Sequence, residues 1–282
     1  MSLSNELKFT LSQELFLKFV IELEKSCGIL LAGNKKYLVE SRLNPLVKEL
    51  GFQHLNELIQ IFLSPIEDKF FFRQTIVDAM TTNETLWFRD GYPFDFLKNT
   101  YFKNFSQQTS STLRVWSAAC STGQEPYSIS MIFDDAKKMK LHTIPELKII
   151  ATDISKPVVE KATEGNYEKI ALSRGMSNDY LQQFFKKTDT GTWRVKDTIR
   201  AHVEFKIFNL LDRFEPLGKF DIIFCRNVLI YFSPHLKEEI MKKMHASLKP
   251  EGILFLGSSE SIASSQLFKM ENANPGIVYR KK

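Results

Sequence analysis

The sequence predicts an α/β fold: a parallel sheet with helices on both faces, preceded by a small all-α domain. Three observations carry this. From about Gly91 onward, apolar runs of strand length alternate with helical stretches, the pattern of a sheet built from crossover connections. From Thr10 to Met80 the apolar residues recur at helical spacing and no strand pattern intervenes. The stretch Arg114–Ser128, RVWSAACSTGQEPYS, reads as a buried strand, a tight turn and a helix start, the form that nucleotide-binding turns take at the carboxyl end of a strand.

Taken in order, Thr10 or Ser12 can cap a first helix whose Phe16, Phe19, Val20 and Leu23 share a face, with Gly28 just past its end. A second helix, Lys35 to Leu50, places Leu38, Val39, Leu43, Leu46, Val47 and Leu50 on one side and stops at Gly51. Its other side is basic, with Lys35, Lys36, Arg42 and Lys48 against Glu40 and Glu49. Leu55–Leu63 and Glu67–Met80 are two further helices. This gives a helical domain over 1–79, a linker over 80–90 and an α/β domain over 91–282.

The strands expected in that domain are Leu113–Ser117, Leu147–Thr152, His202–Phe208, Phe220–Cys225, Gly252–Gly257 and Gly276–Tyr279. Ser233 and Pro234 suit the cap and first position of the helix after the fourth strand, and Lys249–Gly252 is expected to end it. Between the second and third strands the chain is too long for one crossover helix. There, over about 166–200, a helix at Asn178–Phe185 and two short strands around Asp189-Thr190-Gly191 form a side module.

Three places carry chemistry. Gly123 lets backbone approach a ligand where a Cβ would collide, and Pro126 suits a first helical turn. With one glycine the turn departs from G-x-G-x-x-G. Asp153 ends the second strand, where a carboxylate can take both hydroxyls of a ribose; equally, Asp153 can cap the helix that begins after it. The third place is FDIIFCRNVLIYF, Phe220–Phe232, where Arg226 and Asn227 sit inside an apolar run and need partners.

Composition excludes several classes. A net charge of +5 over 282 residues falls short of the basic stripe of a nucleic-acid binder. The cysteines Cys27, Cys120 and Cys225 are far apart and odd in number, so neither a disulfide framework nor a metal site is expected. The start lacks an apolar signal core and no run is long enough to span a bilayer; a cytoplasmic protein without membrane insertion is expected.

These three motifs, with MTTNETLWFRD at Met80–Asp90, resemble the bacterial chemotaxis receptor methyltransferases, the CheR family, over nearly the whole chain. The resemblance implies a Rossmann-like S-adenosylmethionine-dependent methyltransferase sheet with a small β-subdomain insertion. It implies methyl esterification of glutamates on the cytoplasmic helical domains of chemoreceptors, with S-adenosylmethionine as cofactor and S-adenosylhomocysteine as product. By resemblance, Asn83, Thr85 and Arg89 lie over the cofactor, and Arg89 reaches toward the methyl acceptor. Glu125 takes the α-amino group, Asp153 the ribose, Asn209 and Leu210 flank the adenine, and Arg226 and Asn227 sit near the carboxylate and methyl end, with Gly123 admitting the methionine backbone. Tyr231 lies beside the methyl group and Arg42 contacts the acidic substrate helix. In some members the β-subdomain docks a receptor tail; the turn here is shorter, so a structural hairpin is expected instead. A monomer is expected.

The chemistry fits. A glutamate with a pKa of about 4.3 is ionised at neutral pH and needs no general base, and the five histidines, His54, His142, His202, His235 and His245, fall outside all four motifs. A base-amino methylase of this fold would show Asn/Asp-Pro-Pro-aromatic where Cys225-Arg226-Asn227-Val228 stands. A non-catalytic scaffold that only binds cofactor, or an enzyme acting on another signalling protein, are the alternatives.

Overall fold

The computed structural model describes residues 10–65, 70–105, 112–138, 146–262 and 266–282. The chain divides into two compact units. One comprises the residues up to Thr82 together with Tyr231–Lys237; the other comprises Asn83–Ile230 and Glu238–Lys282.

The first unit is built from α1 (Gln13–Cys27), α2 (Lys36–Glu49), α3 (Leu55–Leu63) and α4 (Phe70–Met80). Ser12 caps α1, its Oγ accepting from Leu15 N at 3.2 Å, and Gly28 closes it with φ 82°, the left-handed backbone a glycine adopts without a Cβ clash. Phe16, Phe19 and Leu23 are buried from α1, and Val39, Leu43 and Val47 from α2. The Phe19 and Phe62 rings lie 5.1 Å apart. Arg73 of α4 ties three helices: it donates to Phe62 O and to the Glu22 carboxylate, and its guanidinium lies 5.0 Å over the Phe62 ring. The returning segment joins this unit through Leu30 N donating to Tyr231 O at 2.8 Å, and a Cβ on Gly28 would strike the Phe232 ring. The expected start of the fourth helix at Glu67, and His142, lie outside the described residues.

In the second unit α5 (Tyr92–Phe96) runs through a π-helical turn (Leu97–Tyr101) into α6 (Phe102–Phe105). Then follow β1 (Thr112–Ala118), α7 (Gln124–Lys138), β2 (Glu146–Asp153) and α8 (Lys156–Glu164). The insertion holds β3 (Asn166–Tyr167), α9 (Lys169–Leu172), α10 (Asn178–Phe184), β4 (Phe185–Lys187), β5 (Trp193–Val195) and α11 (Asp197–Arg200). The chain closes with β6 (Val203–Ile207), β7 (Phe220–Cys225), α12 (Pro234–Ser247), β8 (Leu248–Leu256), β9 (Phe268–Ala273) and β10 (Gly276–Lys281); the first turn of α12 falls in the other unit.

The main sheet has the order β6-β2-β1-β7-β8-β10-β9, parallel except where β10 pairs antiparallel with β8 and β9. Strand order reverses at β1, so the carboxyl ends of β1 and β7 flank the crevice in which such sheets bind ligands. Alternate residues face opposite layers. Leu113, Val115, Ile149, Ile222, Phe224, Ile253 and Phe255 pack one core, while Trp116 turns the other way against Phe208, Phe214 and Phe220 at 4.9–6.1 Å.

Three expectations change. The fifth strand begins at Leu248, directly after α12; Lys249–Gly252 is an irregularity within it, with Glu251 at φ 59°, rather than the end of a helix. β9 was not expected, because FKMENA lies at the sheet edge and buries only Phe268. The side module gains β3, a two-residue strand beside β5; its turn is as expected, with Gly191 at φ 84° and Thr188 N donating to Thr192 O at 2.9 Å.

Candidate functional site

The turn after β1 is wound tightly by left-handed residues at alternate positions: Ala119 φ 57°, Ser121 φ 50° and Gly123 φ 91°. For a residue with a Cβ this conformation costs about 1–2 kcal/mol, and strain of that kind collects at functional sites. Neighbouring hydrogen bonds hold it. Cys120 N donates to Thr152 O at 2.9 Å, and Ser121 N donates to Asp153 Oδ2 at 2.8 Å. A Cβ on Gly123 would meet Ala162 Cβ at 3.0 Å and the Tyr167 hydroxyl at 3.1 Å. Glycine is demanded by the turn's φ and by the close approach of α8, which is a packing requirement of the protein itself.

Asp153 is 6% exposed. Its Oδ1 accepts from Ser155 N at 3.0 Å while Oδ2 takes Ser121 N, so it braces the β1 turn against the β2 end. The residue at the N-cap position of α8 is Ser155, and Asp153 is not that cap. A carboxylate has about four acceptor positions, so these two bonds are compatible with further donors such as ribose hydroxyls. Phe208 N donates to Asp153 O at 2.8 Å, which sets Asn209 and Leu210 beside the same strand end. Leu210 is 7% exposed, and the Asn209 side chain accepts from Leu211 N at 3.0 Å, shaping its own turn.

Glu125 stands in the first turn of α7, where a negative charge is favoured. Its Oε1 accepts from Ser117 Oγ at 2.7 Å and its Oε2 from Arg226 Nη1 at 2.9 Å. Arg226 also reaches Asp90 Oδ2 at 2.6 Å and Arg89 O at 2.7 Å. Burial pulls the Arg226 pKa down, but Glu125 and Asp90 outweigh it and hold the guanidinium above its ordinary value. Arg226 is thus the tie between the segment 83–90 and the strand ends of the same unit. Its Nε is buried without a hydrogen-bond acceptor.

That segment is anchored elsewhere as well. Ser121 Oγ donates to Asn83 O at 2.8 Å, Phe88 N donates to Ser128 Oγ at 3.2 Å, and Trp87 is 1% exposed, set edge-on to Tyr167 and Phe185 at 4.9 and 5.4 Å. Thr85 and Arg89 are half-buried and Asn83 is exposed; Arg89 Nη1 lies 3.4 Å from Glu84 O.

Asn227, at φ 59°, follows β7 in a left-handed conformation that asparagine tolerates better than most residues. Its N–H donates to Glu260 Oε2 at 2.7 Å. Tyr231 and Arg42 belong to the other unit. There Arg42 donates to Met80 O, to Thr81 O at 2.9 Å and to Thr82 Oγ1 at 2.8 Å. The guanidinium of Arg42, expected to contact the substrate helix, is engaged in fixing the chain after α4.

Sequence reasoning missed Asp90, Ser117, Ser121 and Glu260. Asp90 was readable as a charge beside Arg89, and Glu260 as an acid just past the carboxyl end of a parallel strand. The thiols offer no nucleophile, since burial pushes Cys120 and Cys225 well above the ordinary range and Cys27 to about 11. Among the described residues no group of three or more His, Cys, Asp or Glu side chains could hold a metal.

Comparison with known proteins places the chain. Residues 83–277 match the family described as CheR methyltransferase, SAM binding domain, and residues 14–70 match CheR methyltransferase, all-alpha domain. The chain is 48% identical over 270 residues to chemotaxis protein methyltransferase Cher2 of Pseudomonas putida, covering 95% of this chain and 98% of that one. It is 47% identical to chemotaxis protein methyltransferase 1 of Pseudomonas aeruginosa (94% and 96%) and 43% identical to the chemotaxis protein methyltransferase of Vibrio parahaemolyticus (97% and 98%). Strand-end carboxylates that fit hydroxyl and amino groups, on a sheet of this order, agree with an S-adenosylmethionine site, and the chain belongs to the CheR methyltransferase family.

Proposed function

We propose that this S-adenosylmethionine-dependent methyltransferase esterifies glutamate side chains on the cytoplasmic helical domains of chemoreceptors, in adaptation of a chemotaxis pathway. The observation that carries the reading is the strand-end cluster of Asp153, Glu125, Arg226 and Asn227, bonded to the segment bearing Arg89. Near-full-length similarity to chemotaxis methyltransferases supports the substrate class.

S-adenosylmethionine supplies an electrophilic methyl group on a sulfonium. Asp153 would hold the ribose, and Asn209 and Leu210 the adenine edge and face. Glu125 would share its carboxylate between Arg226 and the cofactor's ammonium. Arg226 and Asn227 would face the methionine carboxylate, with the turn at Gly123 beside it and Asn83 and Thr85 covering the site. The acceptor glutamate arrives ionised, so the residues need only align it and exclude water. Arg89 would grip the acceptor carboxylate. Too strong a grip by Arg89 would stabilise the ground state, which makes its contribution mainly orientation.

For Arg42 we propose an indirect part in substrate binding, through the segment it fixes. The insertion serves as a structural hairpin rather than a receptor-tail dock, and the protein acts in the cytoplasm as a monomer. The test is incubation with labelled S-adenosylmethionine and receptor cytoplasmic domains. Base-labile label on receptor glutamates is expected; cofactor binding with no incorporation would overturn the reading.

A further inference from the structure

Past the end of β8 the chain turns through Gly257-Ser258-Ser259-Glu260. Glu260 sends its side chain back onto backbone amides. Oε2 accepts from Asn227 N at 2.7 Å and from Gly257 N at 2.8 Å, and Oε1 accepts from Ile230 N at 3.3 Å. One carboxylate thus serves the loops leaving two neighbouring parallel strands, β7 and β8, which are in register up to Cys225 and Leu256.

The bonds fix a demanding conformation. Asn227 has φ 59°, and the charge-assisted bond to its amide holds it there more firmly than a neutral one would. The neighbouring glycine leaves no slack: a Cβ on Gly257 would stand 2.7 Å from Asn227 Nδ2, 2.8 Å from Glu260 Oε2 and 2.9 Å from Asn227 N. The Asn227 side chain is therefore pressed against a glycine that has to be a glycine, by an acid that binds its backbone.

We propose that Glu260 is a positioning residue of the cofactor site, acting with Gly257 to aim the Asn227 side chain. This rests on the assignment of Asn227 to the S-adenosylmethionine site made above. The chemistry asks for a carboxylate. A glutamine retains one oxygen for the shared Asn227 and Gly257 position, but turns its amide donors toward the Ile230 N–H.

The test is calorimetric binding of S-adenosylhomocysteine to full-length variants, with thermal midpoints recorded alongside. Glu260→Ala is expected to weaken binding about tenfold, and Glu260→Gln about threefold or less, since a charged acceptor is lost in the first and one acceptor kept in the second. Gly257→Ala leaves Glu260 in place, displaces Asn227, and should weaken binding comparably; it serves where Glu260→Ala does not fold. Asp221→Asn is the stability control. Asp221 binds Arg114 N and Lys249 at the amino ends of the strands, so this variant should lower the midpoint and leave binding unchanged.

The deciding readout is a double-mutant cycle with Asn227→Gly, which keeps the φ and removes the side chain. If Glu260 acts through Asn227, adding Glu260→Ala to Asn227→Gly changes affinity less than about twofold. A full additional tenfold loss in that background, or wild-type affinity in both Glu260→Ala and Gly257→Ala, overturns the proposal. Wild-type affinity in Asn227→Gly alone removes Asn227 from the site and overturns the assignment on which it rests, a distinct outcome.

Discussion

Replacing Arg226 with methionine gives the sharpest test of the network behind the site. Methionine fills comparable apolar volume, so packing changes little while one cation between two carboxylates disappears. The Arg226 side chain is 2% exposed, that of Glu125 13% and that of Asp90 25%. Removing one partner of a buried pair costs about 3–5 kcal/mol, because the other charge stays buried and unpaired. Solvent screens the Asp90 arm, which leaves the Glu125 arm dominant and puts the expected loss near 3 kcal/mol. That is a large share of the roughly 5–15 kcal/mol typical of a domain. The assay is urea unfolding at neutral pH, followed by binding of S-adenosylhomocysteine. Adding Glu125→Gln should recover part of the lost stability, because the orphaned charge is removed as well. A loss below about 1 kcal/mol for Arg226→Met, as expected of an exposed pair, would refute the reading of Arg226 as the tie between the Arg89 segment and the sheet.

Other outcomes follow from the same geometry. Asp153→Ala should weaken cofactor binding by about 1–3 kcal/mol beyond any effect on folding, read by calorimetry; unchanged affinity would remove Asp153 from the site. Gly123→Ala should lose at least about 1 kcal/mol of stability, from the left-handed φ and the approach to Ala162, measured by thermal unfolding. Arg89→Ala should cut turnover far more than cofactor affinity, and wild-type turnover would contradict its orienting role. His202 has its pKa lowered by burial, with Asp134 opposing and Lys137 reinforcing the shift. The unfolded chain therefore takes up its proton first as pH falls, so the contribution of neutral His202 is present above about pH 6.5 and is lost below it. Urea midpoints from pH 7.5 to 5 should fall less steeply in His202→Gln; identical slopes would refute this.

Much of the fold was legible because it rests on local patterns. Ser12 and Gly28 bracket α1 by capping chemistry, and the unbroken burial of β7 and of the carboxyl-terminal halves of β1 and β2 follows from apolar runs covered on both faces. Polar edge strands carry no such pattern, which is why β9 was missed. At the site, Asp153 and Arg226 stood out as polar groups inside or at the end of apolar runs, and Glu125 through the family resemblance. What they bind did not. Glu260 reaches Asn227 across two loops, and Arg226 reaches Asp90 over more than a hundred positions in the chain; such pairings depend on loop paths that no local spacing encodes. Gly123 also packs against Ala162 and Tyr167, neighbours the sequence did not name, because glycine spacing records a close approach without naming what approaches.

A crystal structure with S-adenosylhomocysteine bound addresses the central claim most directly. The ribose should lie on the Asp153 carboxylate, the adenine beside Asn209 and Leu210, and the ammonium on Glu125. Density for the adenosyl group away from the carboxyl ends of β1, β2 and β7 would contradict the account.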